Sequence, residues 1–415
     1  MASFLTTASA AGLVLLHVVG HFTIVPIHIQ VILTSFFTIY VGAQRSLAVV
    51  EESGAEYELV LDADAPGKIT RRTGQEAMAE KDAWWFPVLG GCTLTSLYLA
   101  FMFFPKEYVN MLITGYIFVL GVVAVTYTFL PGIQRAIGAE GDERLIRWRL
   151  PYHRLPLPAS WVGTAAQTLE FMPSEFAAFV FACAVGGWYL ATKHWCANNL
   201  LGIAFSIQGI EQLSIGSVRT GTVLLSLLFF YDIFFVFGTP IMVGVARNVD
   251  APIKLVFPKA FAVDDADAQF SMLGLGDIVV PGLFIALLLR FDASKATYER
   301  MCRRHEGGRG GGASTIASKA PDDFPQVYFN VTMVGYVLGM IATLVVMYHF
   351  HAAQPALLYL VPAVLGSAFL AAALKNEVQQ MFQYTEESDQ DDEGEEGDEG
   401  DDEGDDEGED HEKKE

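Results

Sequence analysis

The chain has 415 residues and a formal net charge of -22, although 52% of its residues are hydrophobic and only 18% are charged. Residues 386–415 hold twenty Asp or Glu and two Lys, so the acidity belongs to the C-terminal end, and residues 1–385 carry a charge of -4. A body this apolar excludes a large water-soluble globule. The charge also excludes a nucleic-acid-binding protein, which needs a basic face.

Nine stretches are apolar and long enough to cross a bilayer core, which takes a helix of about 20 residues. We therefore predict an all-α polytopic membrane protein with nine transmembrane helices. In chain order the stretches are residues 26–43, 86–104, 107–130, 174–191, 198–215, 219–240, 271–290, 326–349 and 355–374.

A further apolar run, residues 4–25, precedes the first stretch. It could be a signal peptide, a separate span, or an extension of the first span. No basic n-region supports the signal peptide, and Pro26 could break one long N-terminal helix. We favour a hydrophobic lead-in over residues 1–25.

The orientation follows from Lys and Arg, which are enriched in cytosolic loops. With nine spans, the loops after spans one, three, five and seven hold eighteen Lys or Arg, and the opposite loops hold five. This count predicts a lumenal or external N-terminus and a cytosolic C-terminus. A separate span at residues 4–25 would move only the N-terminus to the cytosol.

Asp232 in span six is the only charged side chain from Thr220 to Ala246, and Asp277 in span seven is the only one from Ser271 to Leu289. A carboxylate at the bilayer centre costs about 2.5 to 3.5 kcal/mol on insertion scales, so such a residue is normally functional or paired. Each Asp lies roughly 10 Å from the same predicted lumenal face, at about 1.5 Å per residue. The two carboxyls are therefore expected to meet.

Facing carboxyls in an apolar site share a proton and can act as general acid and general base. One would take a proton from water that attacks a peptide carbonyl, and the other would donate to the oxyanion and the leaving amine. A transporter could use the same pair to relay protons or bind cations. Depth alone does not separate these two functions.

A third feature, Gln354-Pro355-Ala356-Leu357, begins span nine. Pro is ordinary in the first turn of a helix, so this can be a simple span boundary. Alternatively, an unwound backbone here could hydrogen-bond an extended substrate. The sequence contains no His-Glu-x-x-His motif and its four Cys are scattered, so we expect no metal site and no cofactor.

These motifs resemble a known family. Tyr231-Asp232, Leu273-Gly274-Leu275-Gly276-Asp277 and Gln354-Pro355-Ala356-Leu357 look like the YD, GxGD and PAL motifs of the presenilin-type intramembrane aspartyl proteases. Three longer stretches narrow the resemblance to the signal peptide peptidase branch, and it runs from about residue 26 to 385. The three stretches are residues 193–199, 251–258 and 282–292.

The resemblance implies an endoplasmic reticulum endopeptidase that cuts signal-peptide remnants and type II membrane anchors within the bilayer. Asp232 and Asp277 would be the catalytic pair. Tyr231, Gly274 and Gly276 would shape the site, and Gln354 together with residues 355–357 would border the substrate. Expected partners are transmembrane peptides and lipid; a homo-oligomer is left open. The alternative is a non-proteolytic transporter or helix scaffold that uses the acid pair.

The predicted organisation has four parts. A lead-in (1–25) precedes the N-terminal helices one to five (26–215) and the catalytic helices six to nine (216–385). Residues 386–415 repeat Asp, Glu and Gly, cannot bury an apolar face, and are predicted to be a disordered cytosolic tail.

Overall fold

The computed structural model describes Gly12 and residues 26–52, 70–73, 77–137, 146–148, 169–239, 241–249, 251–258, 270–306, 323–350 and 355–388. The rest of the predicted lead-in, Gln354, and the acidic segment from residue 389 onward lie outside the described residues.

Each predicted apolar stretch overlaps a long helix. The helices are α1 (Ile27–Glu52), α2 (Glu80–Phe103), α3 (Lys106–Ile137), α4 (Pro173–Thr192), α5 (Trp195–Gln212), α6 (Val218–Phe237), α8 (Gly276–Glu306), α9 (Val327–Phe350) and α10 (Leu357–Lys375), with shorter helices α7 (Ile241–Asn248) and α11 (Val378–Phe382). Within the described residues, seven of these helices are long and apolar enough to cross a membrane by length and composition.

The two long helices outside that set of seven are α5 and α8, and both lie inside the bundle. Residues 281–294 of α8 are all buried, as are most residues of α5. Because neighbouring helices cover them, these two helices can carry polar side chains whose partners lie within the protein.

The prediction of a helix from residue 271 is wrong at its N-terminal end. Strand β7 (Phe270–Gly274) pairs antiparallel with β6 (Lys254–Pro258), and α8 begins only at Gly276. A short apolar run is compatible with a strand as well as a buried helix. Gly274 and Gly276 disfavour a helix that continues through them.

Short strands gather at the opposite end of the bundle. There β1 (Thr70–Thr73) pairs in parallel with β8 (Thr385–Ser388), and β2 (Ala77–Met78) pairs in parallel with β5 (Ser214–Ile215). A separate antiparallel pair joins β3 (Ile146–Trp148) and β4 (Leu169–Phe171). The predicted tail boundary at residue 386 is therefore wrong, because residues 386–388 belong to strand β8.

Strand β8 is held by a buried charge cluster. The Arg290 Nε donates to the Glu386 carboxylate at 2.8 Å, and these side chains are about 1% and 0% exposed. The Tyr384 hydroxyl donates to the same carboxylate at 2.7 Å, and the Ser214 hydroxyl does so at 3.0 Å. The Glu386 N–H donates to the Gly216 carbonyl at 2.6 Å. The C-terminal strand is thereby joined to α8, the helix of Asp277.

Glycines bring α9 and α10 close together. A Cβ at Gly335 would lie 2.2 Å from the Ser367 Oγ, and a Cβ at Gly339 would lie 3.1 Å from the Leu360 Cα. Only glycine leaves room for this approach without a shift of the neighbouring helix. The close packing seats the N-terminal end of α10 against the bundle.

Candidate active site

Asp232 lies on α6, a helix that begins after the capping residue Ser217. Its carboxyl is buried, and Oδ2 accepts a hydrogen bond from the Leu357 N–H at 3.1 Å. Leu357 is the first residue of α10, where backbone N–H groups lack intrahelical acceptors. The carboxylate thus occupies a helix N-terminus, whose dipole favours a negative charge. This contact joins the predicted YD and PAL motifs directly.

Asp277 lies in the first turn of α8. Its carboxyl accepts a hydrogen bond from the backbone of Gly274, and it is close enough to Asp232 for the two groups to interact electrostatically. The structure therefore brings together the two acids that the sequence places at one depth. Two carboxyls that interact in this way titrate as a coupled pair, which shared acid and base chemistry requires.

The residues predicted to shape the site surround these acids. The centroids of the Tyr231 and Phe235 rings lie 4.5 Å apart, and the Tyr231 Cε2 would lie 3.6 Å from a Cβ at Gly91 of α2. A Cβ at Gly274 would lie 3.3 Å from the Asp277 Oδ2, whereas a Cβ at Gly276 would meet no described atom within 4 Å. Gly274 thus leaves room for the carboxyl, and open space lies beside Gly276.

The predicted substrate-bordering segment divides into described and undescribed residues. Pro355 and Leu357 are buried and Ala356 is partly buried, whereas Gln354 is outside the described residues. Through the Leu357 N–H the segment contacts a catalytic candidate as well as bordering the site.

Sequence reasoning assigned no role to the two asparagines that hold the hairpin β6–β7. Asn199 Nδ2 donates to the Val256 carbonyl at 2.8 Å, and its Oδ1 accepts from the Val256 N–H at 2.7 Å. Asn198 Nδ2 donates to the Lys254 carbonyl at 2.8 Å. The two stretches that carried the resemblance, 193–199 and 251–258, therefore contact each other.

These bonds show which edge of the hairpin is free. Because the N–H and C=O of Val256 face Asn199, Val256 and its partner Met272 form a non-hydrogen-bonded pair, and the backbone groups of Met272 also point away from β6. Gly274, opposite Lys254, has the same orientation. No other described strand pairs with this edge of β7. An open strand edge thus leads directly to Asp277.

Loss of the hydrogen bonds that Asn198 and Asn199 make to the hairpin is expected to lower the rate of proteolysis, and more so when more bonds are removed. Asn199→Ala removes both bonds to Val256 and should reduce kcat/KM roughly 30-fold, since two net hydrogen bonds of about 1 kcal/mol each amount to about 2 kcal/mol. Asn198→Ala removes one bond to the hairpin, at Lys254, and a longer bond to Asn199 Oδ1 at 3.2 Å; it is the comparison variant and should have a smaller effect. Initial cleavage rates of purified variants measure both, and an unaltered Asn199→Ala protein would contradict the role.

Comparisons with known proteins identify relatives of this chain. The family model described as signal peptide peptidase matches residues 70–388. Signal peptide peptidase of Homo sapiens is 38% identical over 365 residues, which cover 86% of this chain and 82% of the human protein. The Mus musculus protein of that name is 39% identical over the same shares.

A third relative matches a shorter part of the chain. Intramembrane protease 2 of Caenorhabditis elegans is 45% identical over 203 residues, which cover 48% of this chain and 40% of the relative. The family model covers more than half of the chain, and the mammalian relatives cover most of it. The chain belongs to the signal peptide peptidase family of intramembrane proteases.

Proposed function

We propose that this intramembrane aspartyl protease uses Asp232 and Asp277 to cut signal-peptide remnants and type II membrane anchors in the endoplasmic reticulum membrane. The observation that carries the proposal is the electrostatic interaction between two buried carboxyls, Asp232 at the N-terminus of α10 and Asp277 in the first turn of α8. Membership in the family disfavours the alternative of a transporter or a non-proteolytic helix scaffold.

The proposed topology has nine spans, with a lumenal N-terminus and a cytosolic C-terminus. It combines the seven apolar helices with the buried α5 and α8, and the excess of Lys and Arg in alternate loops supports the orientation. In this topology β8 and the Arg290–Glu386 pair lie on the cytosolic side. The hairpin β6–β7 lies toward the lumenal side.

In the proposed reaction, one carboxylate accepts a proton from water as that water attacks the scissile carbonyl. The protonated partner gives its proton to the developing oxyanion. The first carboxyl then passes the proton it took from water to the leaving amine, and the partner regains a proton from the gem-diol hydroxyl as the C–N bond breaks. The Leu357 and Gly274 backbone groups hold the carboxyls by hydrogen bonds, so neither acid has to reorganise during the step.

The substrate must be extended at the cut, because helical hydrogen bonds and side chains shield a helix carbonyl from water. The free edge of β7 supplies backbone partners for such a segment at Met272 and at the Gly274 carbonyl. Pairing there would satisfy the backbone groups that unwinding exposes in an apolar environment. It would also direct the chain toward Asp277.

Strand pairing predicts a periodic effect of single amide-to-ester changes in a synthetic transmembrane substrate. Each ester removes one backbone N–H, so cleavage should slow at alternate positions beside the scissile bond and change little at the positions between them. Product formation by mass spectrometry gives the rate for each ester. A uniform effect along the segment would contradict pairing with β7.

The preference for type II anchors follows from the fixed direction of such a strand. One apolar segment inserted into vesicles in both orientations tests it: the type II orientation should be cleaved, and the inverted helix should be cleaved at least about 10-fold more slowly because its strand direction is reversed. Equal cleavage of both orientations would contradict the proposed substrate class. It would leave the assignment of the two Asp residues untouched.

A further inference from the structure

A backbone carbonyl in the first turn of α8 lacks its normal helical donor. In an α-helix the carbonyl of residue 277 accepts from the N–H of residue 281. Residue 281 is Pro, which has no N–H and lies inside α8. The carbonyl that loses this bond belongs to Asp277, so proline weakens the helix at the turn that carries a catalytic candidate.

A tyrosine from a neighbouring helix supplies the missing donor. The Tyr336 hydroxyl donates to the Asp277 carbonyl at 3.3 Å. Tyr336 lies on α9 and is 0% exposed, so water does not compete for that hydroxyl. Ser35 of α1 lies beside the same hydroxyl, and the Ser35 hydroxyl itself donates to the Val31 carbonyl at 3.0 Å.

Tyr336 also occupies a constrained place on α9. It follows Gly335, at which the helix packs tightly on α10, and α10 in turn begins at Leu357, the donor to Asp232. Helix α9 therefore contacts the supports of both acids: the start of α8 through a hydrogen bond, and α10 through helix packing. A side chain fixed in this way can set the position of Asp277 relative to Asp232.

We infer that Tyr336 is a positioning residue of this protease, whose hydroxyl replaces the helical hydrogen bond that Pro281 removes and thereby holds Asp277 in register with Asp232. This inference rests on the proposed catalytic pair. The Tyr336 hydroxyl donates to the backbone carbonyl of Asp277, so Tyr336 acts through that backbone. A hydrogen bond of 3.3 Å is long for a hydroxyl donor, so its loss should slow catalysis without abolishing it.

Tyr336→Phe removes only the hydroxyl and keeps the buried ring. The expected result is a kcat about 3-fold to 10-fold lower with an unchanged KM, because the geometry of the acids changes while substrate contacts remain. Tyr328→Phe is the matched control: Tyr328 is equally buried on α9, but its hydroxyl donates to Glu377 instead. That control should keep the wild-type kcat.

Rescue distinguishes this role from a general loss of packing. Pro281→Ala restores an N–H at residue 281 that can donate to the Asp277 carbonyl. The Pro281→Ala protein should retain near-normal kcat. Adding Tyr336→Phe to Pro281→Ala should lower kcat much less than Tyr336→Phe does in the wild-type protein. A wild-type kcat for Tyr336→Phe, or a double variant no faster than Tyr336→Phe, would overturn the inference.

Two further measurements separate this inference from the assignment of the catalytic pair. If Asp277→Asn retains cleavage, the proposed catalytic pair fails; if Asp277→Asn is inactive while Tyr336→Phe is normal, only the positioning role fails. Thermal unfolding of each variant in detergent shows whether it is folded. If Tyr336→Phe alone does not fold, the test uses Tyr336→Phe combined with Pro281→Ala. This double variant is expected to keep a near-normal kcat, because the N–H of residue 281 replaces the hydroxyl as donor.

Discussion

Asp277→Asn and Asp232→Asn are each expected to reduce cleavage of a transmembrane substrate to background, a loss of at least about 1,000-fold. An amide is nearly the same size as a carboxyl but can neither take a proton from water nor return one to the leaving amine. Because both acids act in one step, either change alone should stop the reaction. Rates of product formation by the purified variants give the result.

Asp292→Asn is the matched control for this prediction. Asp292 is also buried on α8, but its carboxylate accepts from the Phe329 N–H at 3.0 Å and so caps the start of α9. The Asn oxygen can still accept that bond. We expect cleavage close to the wild-type rate. Near-normal cleavage by Asp277→Asn or Asp232→Asn would contradict the assignment of the catalytic pair.

Arg290→Met is expected to cause the largest loss of stability among single changes outside the active site. The substitution leaves the Glu386 carboxylate buried without its nearest cation, and breaking a buried pair in this way costs about 3 to 5 kcal/mol. The thermal midpoint of unfolding in detergent should fall on the order of 10 °C. Replacing both partners, as in Arg290→Met with Glu386→Leu, should recover part of the loss.

Arg303→Met supplies the control on the same helix. Arg303 pairs with Glu299 at 3.8 Å, but its side chain is 71% exposed, and exposed pairs contribute at most about 1 kcal/mol. Its thermal midpoint should stay near the wild-type value. Equal destabilisation by Arg303→Met and Arg290→Met would show that burial of the Arg290–Glu386 pair is not the cause.

The same cluster implies a dependence of stability on pH. Burial raises the pKa of the Glu386 carboxyl, but the charges of Arg290 and Arg71 and the hydrogen bonds from Arg290 and Tyr384 hold that pKa below its ordinary value. A lowered pKa means that Glu386 contributes stability above the pKa of the unfolded chain. That contribution is lost as the pH falls through the folded-state pKa. Acid should therefore loosen strand β8.

The sequence predicts candidate site residues where a residue type is energetically costly in its surroundings. A lone Asp in an apolar span is costly, so Asp232 and Asp277 stand out, and equal depth on successive spans indicates that they meet. The apolar stretches likewise predict the long helices, because hydropathy over about 20 residues is a strong signal. Both kinds of inference need only local composition and the rise of a helix.

Sequence reasoning fails where partners are distant and ordinary in composition. Arg290 resembles a charge at the end of a span and Glu386 one acid of an acidic tail, yet they form a fully buried pair across 96 residues of sequence. Asn199 has no local feature that predicts its bonds to Val256. Strand β7 is not predicted, for another reason: an apolar run directly before a helix cannot be distinguished from the start of that helix until its pairing partner is known.

The central claim is that two acids meeting at the start of α8 and α10 hydrolyse a peptide bond inside a membrane-embedded segment. The most direct measurement reconstitutes the purified chain in vesicles with one transmembrane substrate and locates the cut by mass spectrometry. The account predicts a cut within the apolar stretch that a transition-state analogue of aspartyl proteases blocks and that Asp277→Asn lacks. A cut that persists in Asp277→Asn, or no cut by the wild-type protein, would contradict it.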